Sequence, residues 1–222
     1  MTILLHEPPF ESISGEAGFF TQGSFATFIR LQGCNLNCVY CDTQKAQSLE
    51  GGTRWSISEV IARCKTRQVI ITGGEPLVQE SALIALVVAL MSRGHMVQIE
   101  TNGSLPILKI GSPWAPPHRK PFWVIDRKGP SSRNPAKEEI PFSVFDSNVI
   151  VKYILSRQSS PYHEKDKQFI VADMDRLDQA GYGGNYIISP MDADSNVGPL
   201  FFCKQRHKVI ISLQIHKILG LA

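Results

Sequence analysis

Cys34, Cys38 and Cys41 fall in the run Gly33-Cys34-Asn35-Leu36-Asn37-Cys38-Val39-Tyr40-Cys41, a C-x3-C-x2-C spacing that offers three thiolates to one metal centre and no fourth. A structural zinc site takes four closed ligands, whereas a four-iron four-sulfur cluster held by three cysteines leaves one iron open to a reacting group. The open iron points to chemistry. A closed site needs one more donor from elsewhere in the chain, and Cys64, Cys203 or a histidine are the candidates; in that case the chain is a metal-binding or electron-transfer module. Otherwise Cys64 and Cys203 read as small apolar packing residues.

Further polar residues sit where apolar runs stop. Val69-Ile70-Ile71-Thr72 is a short β-branched run that leads into Gly73-Gly74-Glu75-Pro76. Paired glycines let a backbone approach a ligand closely, and a carboxylate beyond them can meet an ammonium group. Taken alone the segment is an ordinary turn; downstream of a three-cysteine loop it reads as a ligand site. Glu100-Thr101-Asn102-Gly103 ends another apolar run, again with a turn pair. Plain structural readings exist for the rest: Thr43 bonded to its own loop, Arg30 on a strand surface, Lys128 in solvent, His216 packed or exposed.

The elements that must position these residues alternate between strand and helix patterns. Phe25 to Leu31 reads as a strand that delivers the chain into the cysteine loop. Ser56-Ile57-Ser58-Glu59 is a capping box in front of a helix, and a second helix is expected from about Ser81 to Arg93 with Gly94 as its cap. Met96 to Glu100, Phe122 to Asp126, Asn148 to Ile154, Tyr186 to Ser189 and Val209 to Gln214 are further strands. The Pro-rich stretches 104–121 and 128–141 read as loops, and 156–175 yields no assignment. Alternating units predict an α/β fold with a mainly parallel sheet. Its ligands then collect at the carboxyl ends of strands, where the motifs fall.

Composition fits one enzyme domain over residues 1–222. Hydrophobic residues make up 43% and charged residues 19%, with no low-complexity segment, so a sizeable core is expected. A net charge of +3 with interspersed signs gives no nucleic-acid footprint. The apolar run Ala82 to Met91 is too short to span a bilayer, and no signal-peptide pattern opens the chain. Five cysteines, three of them clustered, suit a reducing compartment, and the expected location is cytoplasmic.

With Tyr40 just before the third cysteine, the cysteine spacing resembles that of the radical S-adenosylmethionine (SAM) enzymes. There the open iron chelates SAM, and one electron cleaves it to a 5'-deoxyadenosyl radical. A narrower resemblance extends from about Ile13 to the last residue. The string Phe28-Ile29-Arg30-Leu31-Gln32-Gly33-Cys34-Asn35-Leu36, the join Cys41-Asp42-Thr43, and Ile13-Ser14-Gly15-Glu16 carry it. So do Glu100 to Gly103, Ile125-Asp126-Arg127-Lys128-Gly129-Pro130-Ser131-Ser132, Ser189-Pro190-Met191-Asp192 and Gln214-Ile215-His216-Lys217. These are similar to the motifs of the 7-carboxy-7-deazaguanine synthase family. Glycyl-radical activating enzymes share the cysteine spacing and Gly-Gly-Glu-Pro but lack Asp-Thr after the third cysteine and the Gln-Ile-His-Lys tail.

That resemblance implies a partial, open β/α barrel and a ring contraction of 6-carboxytetrahydropterin to 7-carboxy-7-deazaguanine with loss of ammonia, in 7-deazapurine (queuosine) biosynthesis. Cys34, Cys38 and Cys41 would hold one [4Fe-4S] cluster, and Thr43 would bind Mg2+. SAM would meet Tyr40, Cys41, Asp42, Gly74, Glu75, Asp126, Arg127, Lys128, Gly129, Ser189, Pro190, Met191 and Asp192. The pterin would meet Ile13, Ser14, Gly15, Arg30, Thr72 and Ala222, with Arg30 gripping its carboxylate. Lys128 and Glu16 match positions expected to serve catalysis. A flavodoxin or ferredoxin type electron donor and a homodimer are also implied. Ser14 stands where the family often has Gln, and Asp126-Arg127 where some members have Ser-Pro.

Overall fold

Strand by strand, alternation sorts the side chains into two faces of one sheet. The computed structural model describes residues 1–15, 17–107, 110, 120–140, 148–191, 208–213, 215 and 219. Within them the strands are β1 (Thr2–Leu5), β2 (Phe10–Ile13), β3 (Phe25–Leu31), β4 (Thr53–Ser56), β5 (Gln68–Gly73), β6 (Met96–Thr101), β7 (Phe122–Asp126), β8 (Val149–Leu155), β9 (Tyr186–Pro190) and β10 (Val209–Ile211). The helices are α1 (Ile57–Ala62), α2 (Glu80–Ser92) and α3 (His163–Gln179). The row runs β10-β9-β8-β7-β6-β5-β3-β1-β4, and β2 pairs with the first half of β3. From β3 through β10 every pairing in this row is parallel, while β1 and β2 run antiparallel to β3. The mainly parallel α/β sheet expected from the alternating units is therefore present, and among the described residues its ends do not meet.

One face carries the core. Ile29, Leu31, Val69, Ile71, Val97, Ile99, Ile125, Val151 and Tyr153 point to the helices and pack against Leu83, Leu86, Val87 and Leu90 of α2 and Ile170, Met174 and Leu177 of α3. Burying each such side chain is worth about 1.5–3 kcal/mol. Ser56 caps α1 through the expected box: its hydroxyl accepts from the Glu59 amide while the Glu59 carboxylate accepts from the Ser56 amide. Gly94 follows α2 with φ of 86°, the left-handed turn foreseen for it.

The other face opens as a cleft. Near the amino ends of the strands it is plugged by Phe19 stacked on Phe122 at 4.4 Å and by a small cluster of Phe20, Ala26 and Ile70. Toward the carboxyl ends the residues on this face turn polar.

Three strands, β1, β2 and β4, and the helix α3 were not anticipated. In α3 the buried residues are His163, Asp166, Ile170, Asp173, Met174 and Leu177, so two carboxylates and a histidine interrupt the apolar stripe that signals a helix. Both carboxylates are satisfied from the sheet side: Asp166 accepts from the amides of Ser131 and Ser156, and Asp173 from Arg127 and the Tyr153 hydroxyl. β10 ends at Ile211, earlier than expected, and Gln214 lies outside the described residues.

Candidate active site

Successive strands each send one polar side chain into the cleft near its carboxyl end: Arg30 from β3, Thr72 from β5, Glu100 from β6, Asp126 from β7 and Lys152 from β8. The parallel register sets their level, with Arg30 opposite Thr72 and Asp126 opposite Lys152. Beneath the row, Phe28, Ile70 and Val124 form an apolar floor, and Phe10 stacks on Phe28 with ring centroids 5.5 Å apart. Arg30 Nε donates to Glu7 at 2.7 Å, its Nη1 donates to the Thr43 hydroxyl at 3.0 Å, and the guanidinium lies over the Phe10 ring. The Thr43 hydroxyl in turn donates to Asp42 at 3.2 Å.

Cys34, Cys38 and Cys41 all face this cleft, on a loop closed by the backbone bonds Gly33 N to Ala46 O and Cys34 N to Gln47 O. Gln32, almost fully buried, holds the returning chain: its amide nitrogen donates to the carbonyls of Lys45, Ser48 and Glu50. The loop is bolted to the end of β5 by Gly74 N to Leu31 O and Glu75 N to Gly33 O. A Cβ on Gly74 would run into the Gly33 carbonyl, so glycine is required there. Burial raises the Cys34 and Cys38 thiols above the usual range, and a cation bound to them would drive the protons off. Cys34 Sγ already accepts from Leu36 N at 3.4 Å and Asn102 Nδ2 at 3.7 Å. Three thiols lining one cleft, two N–H donors on one of them, and no histidine or further cysteine beside them among the described residues suit a cluster with an open coordination position, while no three His, Cys, Asp or Glu side chains among those residues gather closely enough to hold a single metal ion. Cys64 is elsewhere: it donates to Val60 O, packs against the helix-side core, and burial pushes its thiol up to about 11.

Glu75 corrects an expectation. The carboxylate expected to meet SAM's ammonium group is fully buried behind the cleft wall. Its Oε1 accepts from Leu77 N and the Thr101 hydroxyl, and its Oε2 accepts from Asn102 N at 2.7 Å. Its role is to lock the turn after β6 against the turn after β5. Arg127 is a second correction. Its side chain is 1% exposed and turns to the helix side, where it pairs with Asp173 at 2.7 Å and donates to the carbonyls of Lys137 and Glu139. Odd-numbered residues of β7 point to α3 and even-numbered ones to the cleft, and Arg127 continues the odd series.

Asp126 and Lys128 do reach the cleft, as an ion pair at 2.8 Å. Burial works against the lysine charge, but the Asp126 carboxylate outweighs it and holds the ammonium above its ordinary range. Lys128 Nζ also lies 5.7 Å from the Tyr40 ring centroid, joining the cysteine loop to the turn after β7. The Tyr40 hydroxyl and Asp126 Oδ1 are buried and have no hydrogen-bond partner among the described residues.

Of the other expected residues, Ile13, Ser14, Gly15, Tyr40, Asp42, Thr43, Thr72, Gly74 and Met191 line the cleft. Ser189 and Pro190 are buried within β9, and Gly129 packs beside Asp166. None of these three faces it. Glu16, Asp192 and Ala222 lie outside the described residues, as do Cys203, His216 and Lys217. Sequence reasoning passed over Glu7, Phe10, Gln47 and Lys152, and gave Gln32, Glu100 and Asn102 no role. The signal for Lys152 was a single lysine inside the apolar run of β8, a placement that costs too much for a lysine without a polar cleft to receive it.

A sheet that delivers three thiols and a row of charged groups to one cleft defines the class, and residues 28–110 match the Radical SAM superfamily model. A solved structure described as the crystal structure of QueE from Escherichia coli superimposes with a TM-score of 0.66, covering 96% of this chain and 94% of that one at 21% identity; it supports the fold. Among curated proteins, 7-carboxy-7-deazaguanine synthase of Hyperthermus butylicus is 48% identical over 108 residues, 47% of this chain and 45% of the relative. Over that match the chain spans less than half the length of the relative. The enzyme of the same name from Chlorobaculum tepidum is 30% identical over 94% of this chain and 90% of its own length. The chain belongs to the 7-carboxy-7-deazaguanine synthase family.

Proposed function

We propose that the chain is a radical SAM carbon-nitrogen lyase that contracts the ring of 6-carboxy-5,6,7,8-tetrahydropterin to give 7-carboxy-7-deazaguanine and ammonia, in 7-deazapurine biosynthesis. The observation that carries this reading is the meeting, in one cleft, of three thiols, an apolar floor and an arginine whose Nη1 donates to Thr43, two residues past the third cysteine. Cys34, Cys38 and Cys41 would hold the [4Fe-4S] cluster, and with SAM it supplies one-electron cleavage and hydrogen-atom abstraction. Everything else falls to the side chains.

Arg30 receives the pterin carboxylate end-on through Nη1 and Nη2, since Nε is committed to Glu7. The ring then lies over Phe28 and Ile70, which exclude water from it. Once a carboxylate draws Nη1 away, the Thr43 hydroxyl has a lone pair for Mg2+, with substrate oxygens and water completing a hard-oxygen shell. Ile13, Ser14, Gly15 and Thr72 border the pterin, while Tyr40, Asp42, Gly74, Asp126 and Lys128 border SAM, Lys128 keeping its proton beside Asp126. Glu16, Asp192 and Ala222 remain assigned on family likeness alone. We further read the chain as one cytoplasmic domain that works as a homodimer and takes its electron from a flavodoxin or ferredoxin type donor; among the described residues no helix is long and apolar enough to cross a membrane.

The test is anaerobic. Reconstituted protein should carry iron and sulfide in equal number and convert 6-carboxytetrahydropterin with SAM, Mg2+ and a one-electron reductant. A single zinc without sulfide, or a sound cluster that leaves the pterin untouched, overturns the reading.

A further inference from the structure

Asn102 sits on the first turn after β6, and each polar atom of its side chain is used. Nδ2 donates to Cys34 Sγ at 3.7 Å and to Asn35 Oδ1 at 3.1 Å, while Oδ1 accepts from Ser104 N at 2.9 Å. Asn35 then donates back to the Ser104 hydroxyl at 2.8 Å, closing a ring between the cysteine loop and the turn. The backbone beneath is fixed independently, by Glu75 accepting from Asn102 N and the Thr101 hydroxyl. An amide held at three points cannot turn its oxygen toward the sulfur without losing the Ser104 bond. Its N–H is therefore aimed at Cys34 by the fold.

We infer that Asn102 is a positioning residue that tunes the reduction potential of the metal centre by donating a hydrogen bond to the Cys34 sulfur. The inference rests on the cluster reading given above. Reduction adds an electron to the iron-sulfur unit, and part of that charge resides on the thiolate sulfurs. A donor dipole fixed at one sulfur stabilises the reduced form more than the oxidised one and raises the potential. Among the described residues, Cys34 is the cysteine of the three that receives such donors, from Leu36 N and Asn102 Nδ2. The first comes with the loop; the second is a choice of side chain. The chain thus sets through residue 102 how easily the electron arrives.

The experiment uses the full chain, reconstituted anaerobically, without SAM or substrate, and reads the midpoint potential by redox titration followed by electron paramagnetic resonance. Asn102→Ala removes the donor, and Asn102→Asp keeps the shape and the Ser104 bond but places an oxygen against the sulfur. Both should retain iron and sulfide and shift the potential downward, on the order of a ten-fold change in the reduction equilibrium, about 59 mV for one electron, with Asp the larger shift. Ser104→Ala, which breaks the ring away from the sulfur, should move it much less. Unchanged potentials in both Asn102 variants overturn the inference. Protein bearing 15N only in asparagine side chains gives a second reading on the parent: the reduced cluster should show a 15N hyperfine coupling, and its absence overturns the inference even if the variants lose the cluster. A parent that assembles no iron-sulfur centre sinks the cluster reading instead, and with it this one.

Discussion

Arg30 meets its cleft with two of its three nitrogens engaged, by Glu7 and Thr43, so its orientation is settled before any ligand arrives. Lysine at this position keeps the charge and loses the fork. Arg30→Lys should therefore lower the efficiency toward the carboxylated pterin about ten- to over a hundred-fold, the range for a loss of roughly 1.5–3 kcal/mol in a charged hydrogen bond, with cluster content unchanged. Equal steady-state efficiency in the two proteins would place the carboxylate elsewhere. Glu75 makes a contrasting case. Three donors converge on a fully buried carboxylate, so Glu75→Gln sets an amide nitrogen against N–H and O–H groups and leaves at least one unpaired. Urea unfolding should show a loss of about 1–3 kcal/mol. The type of this residue was readable from its sequence and its task was not, because a carboxylate after two glycines looks the same whether it faces a ligand or props a turn.

At the scale of elements, the capping box on α1 and the Gly74 contact are the joints most open to a single substitution. Ser56→Ala should cost about 0.5–2 kcal/mol, read as a lower denaturation midpoint at unchanged slope. The cysteine loop, the strands β3 and β5 to β9, α1 and α2 were legible because short β-branched runs and an apolar helix end at glycine turns. What escaped notice has a physical cause. α3 hides its buried face behind Asp166 and Asp173, and their partners are set by the sheet rather than by local sequence. β1, β2 and β4 are four residues each, too short for alternation to stand out. Gln32, buried and bonded to three carbonyls, shows the same limit: nothing in its neighbours marks it as the clasp of the cysteine loop.

Across the whole molecule, the Arg127, Asp173 and Tyr153 cluster ties β7 and β8 to α3 through groups that are almost wholly buried. Burial opposes the Asp173 charge, but Arg127 and the Tyr153 hydroxyl outweigh it and hold the carboxyl below its ordinary range. A depressed carboxyl stabilises the fold in full above the unfolded value, about 3.9, and that contribution drains away as pH falls through the lower folded value. Thermal midpoints of the parent should therefore fall on acidification below about pH 4, and Asp173→Asn should start lower and show a shallower acid limb. Parallel limbs in the two proteins would assign the acid sensitivity to other carboxylates. The order of strands has one more consequence, for how the chain comes to be folded. Except for the bond from Val39 N to Ser132 O, the backbone clasps on the cysteine loop come from residues up to Glu75, and the Asn102 turn follows soon after. A chain made from its amino terminus thus completes the inner wall of the thiol pocket while β6 is still an unpaired edge, waiting for β7 to return by a slow parallel crossover. During that interval the open edge of β6 is a template for pairing with a second copy, an exposure that ends when residues 122–126 arrive.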